Sequence, residues 1–117
     1  VMEVWKDSSI INNYEVSNFG HVRMKGKSNI LKPQDDGNGY KKISVRVNRI
    51  RKNFSVHKLI ATEFVDNPNH YKEINHKDGN KGNNVAFNLE WCTRSENMLH
   101  SVYILGNRHG KRKIKML

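Results

Sequence analysis

Only one cysteine, Cys92, occurs in the 117 residues, so the chain can close no internal disulfide and can build no cysteine-rich zinc site. Such usage fits a reducing compartment, and a cytoplasmic setting is expected. Long apolar runs are absent too, as is a signal-type hydrophobic stretch, which excludes a spanning segment and leaves the chain expected to be soluble. With 36% hydrophobic residues and a mean hydropathy of −0.81, the core must be small and the surface large and polar. Acid is scarce: 11 Asp and Glu stand against 21 Lys and Arg, a formal charge of +10. Between Asp36 and Glu63 there is no acid at all. An excess of this kind points to a polyanionic partner, and nucleic acid is the first candidate.

The clearest β signal covers residues 39–56. Ile43, Val45 and Val47 alternate with Lys42, Ser44, Arg46 and Asn48, and after a turn near Asn48-Arg49 the alternation returns through Phe54 and Val56. One face of this hairpin is apolar and the other basic. Its cations, Lys41, Lys42, Arg46, Arg49, Arg51 and Lys52, with Lys58 just beyond, are the expected phosphate contacts. Upstream, Tyr14 to Ser17 and His21 to Met24 flank Asn18-Phe19-Gly20, whose turn chemistry predicts a short hairpin. From His57 to Val65 the spacing of Leu59, Ile60, Phe64 and Val65 predicts a helix that Asn67-Pro68-Asn69 stops. His57 opens that helix and reads as a capping or packed histidine.

Next comes a strand, loop, strand, helix pattern. Glu73 to His76 meets the turn Asp78-Gly79-Asn80, and Leu89 to Cys92 is the return strand of a ribbon. Thr93-Arg94-Ser95-Glu96 has capping-box spacing, so a helix should start at Thr93. Met98, Leu99, Val102, Tyr103 and Leu105 form its apolar stripe, with Asn97 off it. Packed back on the ribbon, that helix would bring Asn97 and His76 to one small site able to hold a metal and a base. Residues 106–117 show no acid and read as a basic tail or linker.

His76, the Asp78-Gly79-Asn80-Lys81 turn, Asn88-Leu89-Glu90-Trp91 and Glu96-Asn97-Met98 resemble the HNH nuclease motif in its phage and intron-encoded homing endonuclease form. The likeness covers about fifty residues from Val56 on. Trp5-Lys6-Asp7, residues 14–23 and Leu31-Lys32-Pro33 resemble a small DNA-associated module often fused ahead of such nucleases; a plain structural hairpin is the other reading. The expected fold is therefore α+β: an antiparallel β module over residues 1–55, packed on a ββα-metal unit over residues 56–105.

The resemblance implies a metal-dependent DNA endonuclease acting on duplex DNA, a strand-nicking enzyme being one form, with neither a small-molecule cofactor nor a membrane partner, and working as a monomer in the cytoplasm of a bacterial host if phage-encoded. It makes His76 the general base, Asn97 and Asn75 the metal ligands, and Asn88 the residue that fastens the loop and so orients the base. Two amide oxygens favour Mg²⁺ or Mn²⁺ over zinc. Many members place Asp where this chain has Asn75, so a weak metal site completed by DNA phosphate is expected, and a non-catalytic DNA-binding module with a degenerate HNH unit stays open. A single-stranded RNA binder would need aromatics on the outward strand positions, where Lys, Arg and Ser stand instead. Asn83 or Asn84 could take the place of Asn88, His100 could join the site, and Asp78 reads as a turn residue. Trp91 and Cys92 read as core.

Overall fold

The computed structural model describes residues 2–101. Three small antiparallel sheets surround one nine-residue helix. In the first, β1 (Trp5–Asp7), β2 (Tyr14–Ser17) and β3 (Val22–Met24) pair in chain order, with Val16 opposite Val22. The expected turn closes β2 on β3. Gly20 takes φ +89° there, a backbone region that residues with a Cβ avoid.

The second sheet joins β4 (Gln34–Asp35), β5 (Lys41–Val47) and β6 (Ile50–Ser55). Val47 faces Ile50 across a two-residue turn in which Asn48 and Arg49 both have left-handed φ, 52° and 69°, the geometry whose twist matches a tight hairpin. Ile43 and Val45 are buried, as the alternation requires. Val56 differs from the expectation. It does not extend β6 but opens α1 (Val56–Phe64), where it is 1% exposed and starts the buried stripe of Val56, Leu59, Ile60 and Ala61. A β-branched residue at a strand end reads as strand until tertiary packing claims it for the core.

The third sheet is the ribbon of β7 (Glu73–His76) and β8 (Leu89–Cys92), in the expected bounds, with Asn75 opposite Glu90 and His76 opposite Leu89. One turn of 3₁₀ helix (Ala86–Asn88) leads into β8, and α2 (Arg94–Leu99) follows it. Helix α1 is the hub. Its apolar stripe joins Val16 and Val22 of the first sheet, Ile43 and Val45 of the second, and Ile74 and Leu89 of the ribbon in one core. Trp91 is half-buried against that core and donates its indole N–H to the Val65 carbonyl at 3.1 Å. Cys92 is buried, and loss of hydration pushes its thiol up to about 11, so it acts as a small hydrophobe. Among the described residues, no helix is long and apolar enough to cross a membrane.

The front module locks onto the ribbon loop by main-chain contact. The Ala86 N–H donates to the Asn18 carbonyl at 2.8 Å, and a Cβ built on Gly20 would lie 2.7 Å from the Asn84 carbonyl oxygen. Helix α1 is tied in as well: the Glu63 carboxylate accepts from both the N–H and the hydroxyl of Ser9, each at 2.7 Å.

Candidate active site

Among the described residues, strand β7 pairs with β8 alone. Beside it lies an open cleft of about 620 Å³. Residues from both faces of β7 reach it, including Asn75 and His76, and Asn97 of α2, Tyr40, Lys81 and Arg94 complete the walls. His76 and Asn97 thus line one cleft, from strand and helix respectively.

His76 is 5% exposed, and its Nε2 lies 2.9 Å from the Asn84 amide oxygen. An amide oxygen can only accept, so Nε2 carries the proton and the Nδ1 lone pair is free. Burial pushes the His76 pKa below its ordinary value and the Lys81 charge adds to this, against the opposing pulls of Asn84 and Asp78. The ring is therefore neutral at physiological pH. A neutral imidazole with one free lone pair is the state a general base needs.

Asn88 does not reach the cleft. Buried at 5% exposure, it donates from Nδ2 to Asp78 Oδ1 at 3.0 Å and to the Asn83 carbonyl at 2.9 Å, while its Oδ1 accepts from the Asp78 N–H at 3.1 Å. Asp78 also accepts from the Asn80 N–H and from Asn83 Nδ2, both at 2.8 Å. These hydrogen bonds, that of Asn83 foremost, hold its carboxyl below the usual range. The two side chains together close the 78–88 loop. Of the three loop asparagines that spacing alone told apart in the sequence, Asn88 fastens the loop, Asn83 buttresses Asp78, and Asn84 touches the base.

Helix α2 begins where the capping box requires. The Thr93 hydroxyl accepts from the Glu96 N–H at 3.1 Å, and the Glu96 carboxylate accepts from the Thr93 N–H at 2.9 Å. Asn97 follows in the next position, over β7. The expected buried stripe differs: Met98 is 60% and Leu99 50% exposed, because over the described residues the helix lies on the ribbon by its polar side. The rest of that stripe (Val102, Tyr103, Leu105) and the basic tail lie outside the described residues.

A divalent ion would find oxygen donors here. Asn97 and Asn75 both line the cleft, and Asn75 is anchored through Nδ2, which donates to Glu90 at 2.8 Å and leaves its Oδ1 available. Among the described residues no three His, Cys, Asp or Glu side chains gather into a metal-binding group, so a zinc-type cage is not built. Amide oxygens, waters and a phosphate fit a hard ion such as Mg²⁺ or Mn²⁺.

Two histidines whose roles the sequence left open are placed by the structure. His57 packs into the site wall rather than capping α1: its ring lies 5.3 Å from that of His76 and 5.1 Å from that of Tyr40, and Ser55 is the N-cap residue. His100 is half-buried and does not line the cleft. Sequence reasoning also passed over Tyr40, Glu73 and Arg94. Tyr40 precedes a strand distant in sequence, so no local pattern points to it; Glu73 stands two positions before Asn75 on the same strand face, and Arg94 stands three before Asn97 on one helix side.

Register divides the seven expected DNA contacts. Lys42, Arg46 and Arg51 share the outward face of the β5–β6 hairpin, with Arg46 opposite Arg51. Lys41 and Lys52 fall on the face of Ile43 and Val45, Lys52 directly opposite Val45, and Lys41 is paired with Asp35 at 2.9 Å. Their parity in the pleat, odd against even in β5, places them there. Arg49 sits in the exposed hairpin turn and Lys58 is exposed on α1.

Residues 54–99 match the HNH endonuclease family model, and residues 3–46 match the NUMOD4 motif. The chain is 43% identical over 91 residues to a mimivirus protein named as uncharacterized HNH endonuclease L245, covering 78% of this chain and 28% of that one. To DNA endonuclease I-HmuI of Bacillus phage SP01 it is 37% identical over 95 residues, covering 80% of this chain and 55% of that one. A solved structure titled for DNA binding and cleavage by the HNH homing endonuclease I-HmuI superposes with a TM-score of 0.77 at 34% identity, over 88% of this chain and 60% of the other. The chain thus spans about a quarter to about half the length of these curated relatives.

Proposed function

Because this chain belongs to the HNH endonuclease family, we propose that it is a DNA endonuclease that hydrolyses phosphodiester bonds of duplex DNA with Mg²⁺ or Mn²⁺, cutting one strand per encounter as a monomer. The observation that carries this reading is the shared cleft: a neutral histidine with a fixed tautomer and an asparagine on a capped helix face the same space, beside two cations. Residues 1–55 serve DNA binding and residues 56–105 the chemistry.

In the reaction His76 Nδ1 takes a proton from the attacking water, whose oxygen forms a bond to phosphorus as the opposite P–O bond breaks. Asn84 holds the ring through Nε2, and Asn88 holds the loop that carries Asn84. Asn97 and Asn75 would hold the ion through their amide oxygens. Once bound, that ion supplies charge for the phosphoryl oxygens and the leaving oxygen. Lys81 and Arg94 neutralise the phosphate from the cleft wall. The β5–β6 hairpin then grips the backbone through Lys42, Arg46 and Arg51, with Arg49 and Lys58 at its margins and Lys41 and Lys52 on the opposite side of the sheet.

Supercoiled plasmid tests the assignment. Wild-type protein should convert it with Mg²⁺ or Mn²⁺ and stop on adding EDTA, and His76→Ala should slow the reaction on the order of 10²- to 10⁴-fold. Cleavage that survives both treatments would refute the role of His76. The rival reading, a module that binds and never cuts, draws on the amide at position 75, and it wins if no divalent ion supports cleavage while binding is intact.

Salt dependence tests the grip. Fluorescence anisotropy with a short duplex should show log affinity falling linearly with log salt. Arg46→Gln should reduce that slope by roughly 0.9 if Arg46 neutralises one phosphate. An unchanged slope removes Arg46 from the interface.

A further inference from the structure

The Asn75 and Asn97 amides bring no charge, and the two cations that line the same cleft, Lys81 and Arg94, oppose a further positive ion. Among the residues that line the cleft, one carries a carboxylate: Glu73. It stands two positions before Asn75 in β7, so the pleat puts both side chains on the same face of the ribbon. Glu73 Oε1 lies 3.4 Å from Asn97 Nδ2, which places the acid beside the helix residue that faces the cleft. Although Arg94 lines the same cleft, Glu73 takes part in no ion pair among the described residues. Glu90, the other acid on this face, is already engaged: it sits opposite Asn75 and accepts from that amide.

We propose that Glu73 is the anionic ligand of the divalent ion, completing with the Asn75 and Asn97 amide oxygens a three-oxygen face on which waters and a DNA phosphate fill the remaining positions. This rests on the nuclease reading above and adds to it the source of the negative charge. A hard divalent ion gains most from a charged oxygen, and a site with one carboxylate and two amides holds its ion weakly until phosphate arrives. Glu90 has a supporting part, fixing the Asn75 amide so that its oxygen is presented.

The test reads metal binding, not cleavage. The full chain is titrated with Mn²⁺ at low ionic strength, and the free ion is followed by electron paramagnetic resonance. Glu73→Gln, which keeps shape and removes charge, should weaken Mn²⁺ binding on the order of tenfold or more. Asp66→Asn removes one charge away from the cleft and should leave binding near wild type, which separates a ligand from a change in net charge. Moving the charge along the strand, in the double variant Glu73→Gln with Asn75→Asp, should restore binding. Circular dichroism should show all variants folded. The proposal is overturned if Glu73→Gln binds like wild type, if Asp66→Asn weakens binding as much, or if wild type binds no Mn²⁺. In each of those cases the plasmid assay still decides by itself whether the chain is a nuclease.

Discussion

Gly20→Ala is expected to slow DNA cleavage by roughly 10- to 100-fold while DNA affinity stays near wild type. Gly20 lies in the front module, remote in sequence from His76. Yet a Cβ there would meet the Asn84 carbonyl oxygen at 2.7 Å and its carbon at 2.8 Å, both main-chain atoms that cannot swing aside. The φ of +89° adds strain of about 1–3 kcal/mol for any residue with a Cβ. Relief comes by pushing the Asn84 segment outward, against the Ala86 to Asn18 hydrogen bond, and the Asn84 side chain takes the His76 ring with it. Displacements of about an ångström at a reacting group can cost on the order of 10²-fold in rate. The basic hairpin residues lie on another sheet and keep their places. Single-turnover cleavage and anisotropy on the same preparation check this; an unchanged rate would show that the coupling is absent, and equal losses of rate and affinity would show a general loss of structure instead.

Acid should destabilise the fold through His57, by an amount with an upper bound of about 3 kcal/mol. Burial first, and the neighbouring His76 second, push the His57 pKa down to about 4. The unfolded chain therefore binds this proton near pH 6.5, while the folded chain resists it until about pH 4. The stability that neutral His57 confers is fully present above pH 6.5 and is lost as pH falls through that interval. His76, shifted the same way, adds to the trend. Urea unfolding at pH 7.5 and pH 4.5 should show a large difference in wild type and a smaller one in His57→Phe. Equal pH dependence in the two proteins would place the sensitivity elsewhere.

Much of the site was readable because it is local. The bounds of β7 and β8, the capping box at Thr93 and the turn at Asn48-Arg49 follow from short-range patterns, since strand alternation, capping and left-handed turn residues act within a few positions. Asn97 and His76 were brought together on the same grounds, by folding one strand–loop–strand–helix unit on itself. What escaped is long-range. Asn84 was visible only as a rival of Asn88, because spacing cannot say which loop amide points inward; the loop's hydrogen bonds to Asp78 decide it. His57 was read as a capping or packed histidine, and which group it packs against, His76, is fixed only when α1 docks on the ribbon. Val56 was given to a strand because its β-branched side chain continued an alternation. The stripe from Met98 was read as core, whereas the first turn of α2 spends its packing on the polar edge of β7.

The central claim is that an imidazole and an amide oxygen act on one phosphate through a shared cation. A crystal structure of the full chain with a duplex and Mn²⁺, read by the anomalous signal of the metal, tests it most directly. The account predicts a single strong peak in the cleft, about 2.1 Å from Asn97 Oδ1, with His76 Nδ1 within hydrogen-bond reach of the attacking water at the same phosphate. A peak outside the cleft, or His76 and Asn97 facing different phosphates, would contradict it.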